Sequence, residues 1–175
     1  NENRSDTFYN QGKKWNIDRK IYNFLDTNST FYERSSREKE RIHNRIETLS
    51  HLINVQNNSN IDVISHASAL MTPTLPKPIF NQYTIQLSVG DHIKLNKVIK
   101  NCIDSGYQPN TIVTTPGEIS RREGTIDIWP PTASHPTRIE LFGELIDSMR
   151  TFEPSTQLSV KNVNSIDIHP TRETI

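Results

Sequence analysis

The sequence predicts an α+β protein: a helix-and-strand layer up to about residue 72, then a compact unit of one or two helices on an antiparallel sheet. Three observations carry that expectation. Apolar residues recur at helical spacing at Ile42, Ile46, Leu49 and Ile53, and again at Leu95, Val98, Ile99, Cys102 and Ile103. Beyond Thr111 the apolar residues instead alternate in short runs, as half-buried strands require. Between the two regimes lies MTPTLPKPIF, where Pro73, Pro76 and Pro78 each remove a backbone donor and disfavour helix at the preceding residue, so a domain boundary is expected there.

Taken in order, the first thirty or so residues are polar and Asn-rich, with apolar anchors Trp15, Ile17, Ile21, Tyr22, Phe24 and Leu25 that follow no period. Weak structure with one strand near Lys20 to Phe24 is expected. Ser35 with Glu38 forms a capping box that opens the first helix, Asn57 to Asn60 end it, and Ile61, Val63 and Ile64 read as a short buried strand. After the prolines, Tyr83, Ile85, Leu87 and Val89 alternate as a strand, and Gly90 and Asp91 lead into a helix that Gly106 stops. Strands are then expected over Thr111 to Thr115, Gly117 to Arg122, Thr125 to Trp129, Thr137 to Phe142, Leu145 to Phe152 and Ile166 to Ile168. Gly124 and Gly143 sit at the two tight reversals, where a residue without a β-carbon takes positive φ at little cost.

Composition narrows the function. Twenty Lys and Arg balance twenty Asp and Glu, so no global positive field exists to hold nucleic acid by counterion release, and a general DNA-binding role is disfavoured. The alternating signs of Glu33, Arg34, Arg37, Glu38, Lys39, Glu40 and Arg41 read as a solvated face. The single cysteine, Cys102, lies among Val98, Ile99 and Ile103 and reads as a core thiol; it excludes an internal disulfide framework. No apolar run approaches the ~20 residues that span a bilayer, and the start NENRSDTFYN lacks a signal-peptide pattern, so a cytoplasmic protein with no membrane contact is expected. The missing initial Met and the abrupt end after HPTRETI suggest a fragment of something longer.

Catalysis finds no support. Neither G-x-x-x-x-G-K-[ST] nor G-x-G-x-x-G occurs, so no nucleotide cradle is expected. His43, His51, His66, His92, His135 and His169 show no zinc spacing, and Ser68 in SHASALM lacks the glycines of a nucleophile elbow. The expectation is a non-enzyme with no cofactor and no metal. In GEISRREGTIDIWPP, alternation places Ser120 and Arg122 on the face opposite Ile119 and Arg121, beside the Glu123-Gly124 turn. A guanidinium on a rigid hairpin loses little entropy on docking and can grip a carboxylate bidentately. From the residues alone, the reading of Arg121 and Arg122 as ordinary solvated hairpin arginines outweighs that of an interface anchor.

The stretch from Ile79 to Val160, through VGD, SGY, TTPGEISRREGTIDIWPP and HPTRIELFGELIDSMRTFEPSTQLS, closely resembles the domain shared by the excinuclease component UvrB and the transcription-repair coupling factor. FLDTNSTFYERSSREKERIHNRIETLSHL and DVISHASALMTPTLP resemble the segments that precede it. The resemblance implies that the small domain is inserted in a partial nucleotide-fold-like α/β domain, dividing the chain into 1–75, 76–160 and a return strand in 161–175. It implies a docking surface for UvrA, the damage-recognition ATPase, with DNA and RNA polymerase reached only through the rest of a parent ATP-dependent translocase. IDIWPP and RTFEPSTQ side with the coupling-factor branch; a fragment of the helicase-like UvrB is the alternative. Carried over residue by residue, Arg122 matches an arginine with which UvrB meets UvrA. Ser120 and Pro109 stand where UvrB has arginines, and Arg121 is a substitute for the missing charge.

Overall fold

The computed structural model describes residues 2–15, 19–26, 36–54 and 61–173. It is α+β, and the chain separates into two compact units, Asn1–Leu75 and Pro76–Ile175.

In the first unit, α1 (Glu2–Trp15) precedes β1 (Lys20–Phe24), α2 (Ser36–Ile53), β2 (Ile61–Ser65) and the short α3 (Ala67–Met71). β1 and β2 pair in parallel, Lys20 opposite Ile61 and Phe24 opposite Ser65. Parallel neighbours need a crossover, and α2 is the helix between them in the chain. Ile46 of α2 is fully buried, as its period predicts. So is its neighbour Arg45, which a hydrophobic period does not reveal. The Arg45 guanidinium stacks 3.9 Å from the Phe24 ring centroid, and its Nη1 donates to the carbonyls of Leu25 (2.9 Å) and Ala69 (3.2 Å). One side chain thus ties α2 to the end of β1 and to α3, and satisfies backbone acceptors that burial would otherwise strand.

The segment before β1 is helical, which corrects the expectation of weak structure there. Its sequence has no apolar stripe, and Phe8 is exposed; the helix instead approaches β1 at Gly12, where a Cβ would stand 2.9 Å from Ile21 Cδ1. That close approach has no signature in a hydrophobic period. The strand expected near Lys20 is β1. Ser35 of the capping box and the Asn57–Asn60 break lie outside the described residues.

The second unit carries α4 (Lys77–Tyr83), β3 (Ile85–Ser88), α5 (Leu95–Asp104), β4 (Gln108–Pro109), β5 (Glu118–Arg122), β6 (Thr125–Ile128), β7 (Thr137–Phe142), β8 (Leu145–Phe152), β9 (Ser159–Asn162) and β10 (Ser165–Ile168). Six strands form one sheet in the order β4-β5-β6-β7-β8-β9; β4 and β5 are parallel and all other neighbours antiparallel. β3 and β10 form a separate antiparallel pair, Ile85 opposite Ile168. The core joins Val98 and Cys102 of α5 to Ile119, Ile126, Ile128, Ile139, Ile146 and Met149 of the large sheet, and to Leu87, Ile166 and Ile168 of the pair. The two expected reversals are present, with Gly124 at φ 69° and Gly143 at φ 64°.

The prolines act differently from expectation at one point: Lys77–Tyr83 is helical despite Pro78. Proline in a first turn removes a donor that has no intrahelical acceptor, and its fixed φ suits the helix. Thr111 to Thr115 is not a strand but a bent loop, because the Glu118 carboxylate captures its amides. β9, exposed throughout, has no alternation that a sequence reading could use.

Cys102 is fully buried, and burial pushes its thiol up to about 12. Since the thiolate is the reactive form, modification by an aromatic disulfide reagent is expected to track global unfolding in urea. Rapid stoichiometric labelling of the native chain would contradict this packing.

Candidate functional site

Strand alternation gives the large sheet two unlike faces. Ile119, Ile126, Ile128, Ile139 and Met149 point into the α5 side. The outer face receives Glu118, Ser120 and Arg122 from β5, Asp127 from β6, and Arg138, Glu140 and Phe142 from β7. Its charges are largely paired. The Asp127 carboxylate, 1% exposed, accepts from Arg138 Nε at 2.7 Å and Nη2 at 2.8 Å. The Arg138 guanidinium also lies 4.7 Å from the Phe152 ring centroid and donates to Gln157 Oε1 at 3.2 Å. Next to it Glu140 accepts from Ser148 Oγ (2.8 Å) and Arg150 Nη2 (2.6 Å). Those donors hold the Glu140 carboxyl below its ordinary range.

Two segments without ladders of their own cover this face, and side chains satisfy their backbone. Gln157, at φ 60°, donates from Nε2 to the carbonyls of Pro154 (2.8 Å) and Val113 (3.3 Å). The second cover is the loop after β4. Glu118, 9% exposed, accepts at Oε2 from the backbone N–H groups of Thr114 (2.8 Å) and Thr115 (2.9 Å) and at Oε1 from Asn110 Nδ2 (2.6 Å). Burial pushes the Glu118 carboxyl up, but these donors together outweigh it and hold the group below its usual value. Backbone donors captured by a carboxylate cannot join a β ladder. That is why 111–115 bends where alternation predicted a strand.

The four residues singled out from the sequence fall in different places. Pro109, exposed on β4, pairs with Ile119, and Asn110 N donates to Ile119 O at 2.8 Å. Ser120 is 2% exposed and donates from Oγ to the Thr111 carbonyl at 2.9 Å, so it lies beneath the loop rather than on the surface. Arg122 is exposed on the outer face, with Nη2 donating to the same Thr111 carbonyl at 3.5 Å. Among the described residues no carboxylate pairs with it. Arg121 is exposed too, but on the opposite face, where Nη1 donates to Asn96 Oδ1 of α5 at 2.9 Å. Pro109, Ser120 and Arg122 therefore converge on one loop edge, and Arg121 stands apart.

Two residues that the sequence reading did not select join this edge. Phe142 is 80% exposed at the β7–β8 reversal, and Leu141 N donates to Gly124 O at 2.8 Å, which sets the two hairpin turns side by side. The signal was present in RIELF: the parity that sends Ile139 and Leu141 inward sends Phe142 outward. Ile112, 46% exposed, projects from the clamped loop. Large apolar side chains beside an exposed arginine form the composition from which interface anchors are drawn. Among the described residues no group of three or more His, Cys, Asp or Glu could hold a metal, and no helix is long and apolar enough to cross a membrane.

The second unit is therefore a small α+β domain of interaction type: a packed core on one face of a sheet, and on the other an exposed Arg and Phe over a pinned loop. A family model described as the UvrB interaction domain matches residues 85–173, and the chain belongs to that family. It is similar to the transcription-repair-coupling factor of Bacillus subtilis (strain 168), 34% identical over 113 residues, covering 65% of this chain and 10% of that protein. It is also similar to those of Staphylococcus aureus (strain MSSA476), 32% over 136 residues, covering 78% and 11%, and Staphylococcus epidermidis (strain RP62A), 28% over 151 residues, covering 86% and 13%. The chain thus spans about a tenth of the length of the curated relatives it matches.

Carboxyls held lower in the folded chain than in the unfolded one contribute stability that is complete above the unfolded value, about 4.3 for Glu. That contribution is lost as pH falls through the folded value. Glu118 and Glu140 are both of this kind. Urea midpoints should therefore fall as pH drops below about 4, and Glu118→Gln should shallow the fall and converge with the parent chain in acid. Parallel curves at all pH values would contradict the assignment for Glu118.

Proposed function

We propose that the second unit is a docking module for UvrA, and that it serves a transcription-repair coupling factor by bringing UvrA to stalled RNA polymerase. The observation that carries this reading is the exposed Arg122 guanidinium on the β5–β6 hairpin, without a carboxylate partner among the described residues, with exposed Phe142 on the β7–β8 hairpin whose turn adjoins it. Family membership supports it, and the similarity to coupling factors favours them over UvrB as the parent.

The physical logic is a division of labour on one face. Arg138 and Arg150 are paired internally, so docking need not desolvate them as free charges. Arg122 offers a planar fork for a partner carboxylate or carbonyl, on a hairpin whose backbone is already fixed. Phe142 supplies a large rigid apolar surface with few rotamers to freeze. Pro109 borders the patch, and Ser120 supports it from beneath by holding Thr111. Arg121 faces the α5 side, which gives it a peripheral part. DNA translocation and polymerase contact belong in this reading to the remainder of the parent protein.

An arginine or aromatic at the centre of such a patch typically contributes ~2 kcal/mol or more, equivalent to about 30-fold in affinity. Titration calorimetry of the 175-residue chain with purified UvrA should show that loss for Arg122→Glu and for Phe142→Ala, with circular dichroism unchanged. Arg121→Glu should have a smaller effect. Unaltered affinity in both of the first two variants would sink the proposal.

A further inference from the structure

We infer that Glu118 is a positioning residue for docking: its buried carboxylate pins the Asn110–Thr115 loop against the sheet, so that the Thr111 carbonyl and the Ile112 side chain stand fixed beside Arg122 before a partner arrives. This rests on the docking reading above and adds a residue that never touches the partner.

The geometry is specific to a carboxylate. Both oxygens accept, Oε1 from the Asn110 amide at 2.6 Å and Oε2 from two successive backbone N–H groups, with the Thr114 hydroxyl at 3.3 Å as a further donor. An isosteric glutamine would turn an NH2 group toward one of these donor sets and leave it unmet. The loop has no strand ladder between Asn110 and Gly117 to fall back on. Its other ties are few: Asn110 N to Ile119 O at 2.8 Å, Ser120 Oγ to Thr111 O at 2.9 Å, and Gln157 Nε2 to Val113 O at 3.3 Å. Val113 is fully buried while Ile112 on one side and Thr114 on the other are exposed, so the loop turns its surface residues outward only while Val113 stays seated. Releasing the carboxylate removes the backbone ties that directly follow Val113, at Thr114 and Thr115, and leaves only Gln157 Nε2 on the Val113 carbonyl. The Thr111 carbonyl, which receives both Ser120 and Arg122, then loses its fixed place.

A loop ordered in advance avoids its ordering cost on binding, and a loop ordered only part of the time lowers the fraction of chains competent to bind. The deficit then appears in association. A lost direct contact appears chiefly in dissociation. Surface plasmon resonance of the full chain with purified UvrA separates the two. Glu118→Gln should slow association about five- to tenfold with dissociation nearly unchanged, and amide hydrogen exchange at Thr114 and Thr115 should accelerate. Arg122→Glu should mainly speed dissociation. Asn110→Ala, which removes one donor and leaves the core intact, should reproduce the Glu118→Gln pattern more weakly and serves if that variant does not fold. Faster exchange in either variant with an unaltered association rate would overturn the inference, as would unchanged exchange. If Arg122→Glu also has no effect, the docking reading itself has failed.

Discussion

Everything on the outer face of the six-stranded sheet depends on one constraint: backbone that covers a sheet without extending it must find its hydrogen-bond partners elsewhere. Two covering segments meet that constraint through side chains. Glu118 collects the N–H groups of Thr114 and Thr115, and Gln157 donates to Val113 and Pro154. Arg138 links Gln157 to Asp127, and Asp127 is all but inaccessible to solvent. The polar network is therefore scaffold, and what it leaves exposed is a short edge with Arg122, Phe142, Ile112 and Pro109. An apolar network could have filled the same space, but it could not have satisfied the loop amides.

The same principle organises the first unit on a smaller scale. Arg45 is fully buried on α2, yet it donates to carbonyls at the end of β1 and in α3 and lays its guanidinium on Phe24. A buried cation is tolerable when hydrogen bonds and a stacked ring replace the water it has lost. Here it ties α2 to the end of β1 and to α3.

Periodic packing was legible in the sequence; side-chain-to-backbone capture was not. The alternation of Ile126 and Ile128, Ile139 and Leu141, and the helical spacing of Val98 and Cys102, led directly to β6, β7 and α5 and to their buried faces. Gly124 and Gly143 located both hairpins. The pattern misled where polar contacts override it. Thr111 to Thr115 has strand-forming residues, but Glu118, a few positions downstream, takes its amides. α1 forms without an apolar stripe because Gly12 lets it close on Ile21. At the candidate site, strand parity separated Arg122 from Arg121 correctly, and the same parity would have exposed Phe142 had it been followed one hairpin further. That Ser120 lies under a loop depends on the loop's path, which the side-chain bonds of Glu118, Gln157 and Ser120 itself define.

If the outer face of the sheet, and not the α5 face, meets the partner, solvent protection must fall on the two hairpin turns and the pinned loop. Hydrogen–deuterium exchange of the 175-residue chain, alone and saturated with purified UvrA, tests this most directly. Protection is expected in 109–115, in the Arg122–Thr125 turn and in the Leu141–Leu145 turn, with α5 unchanged. Protection confined to α5 and β3, leaving the two turns as they are in the free chain, would contradict it.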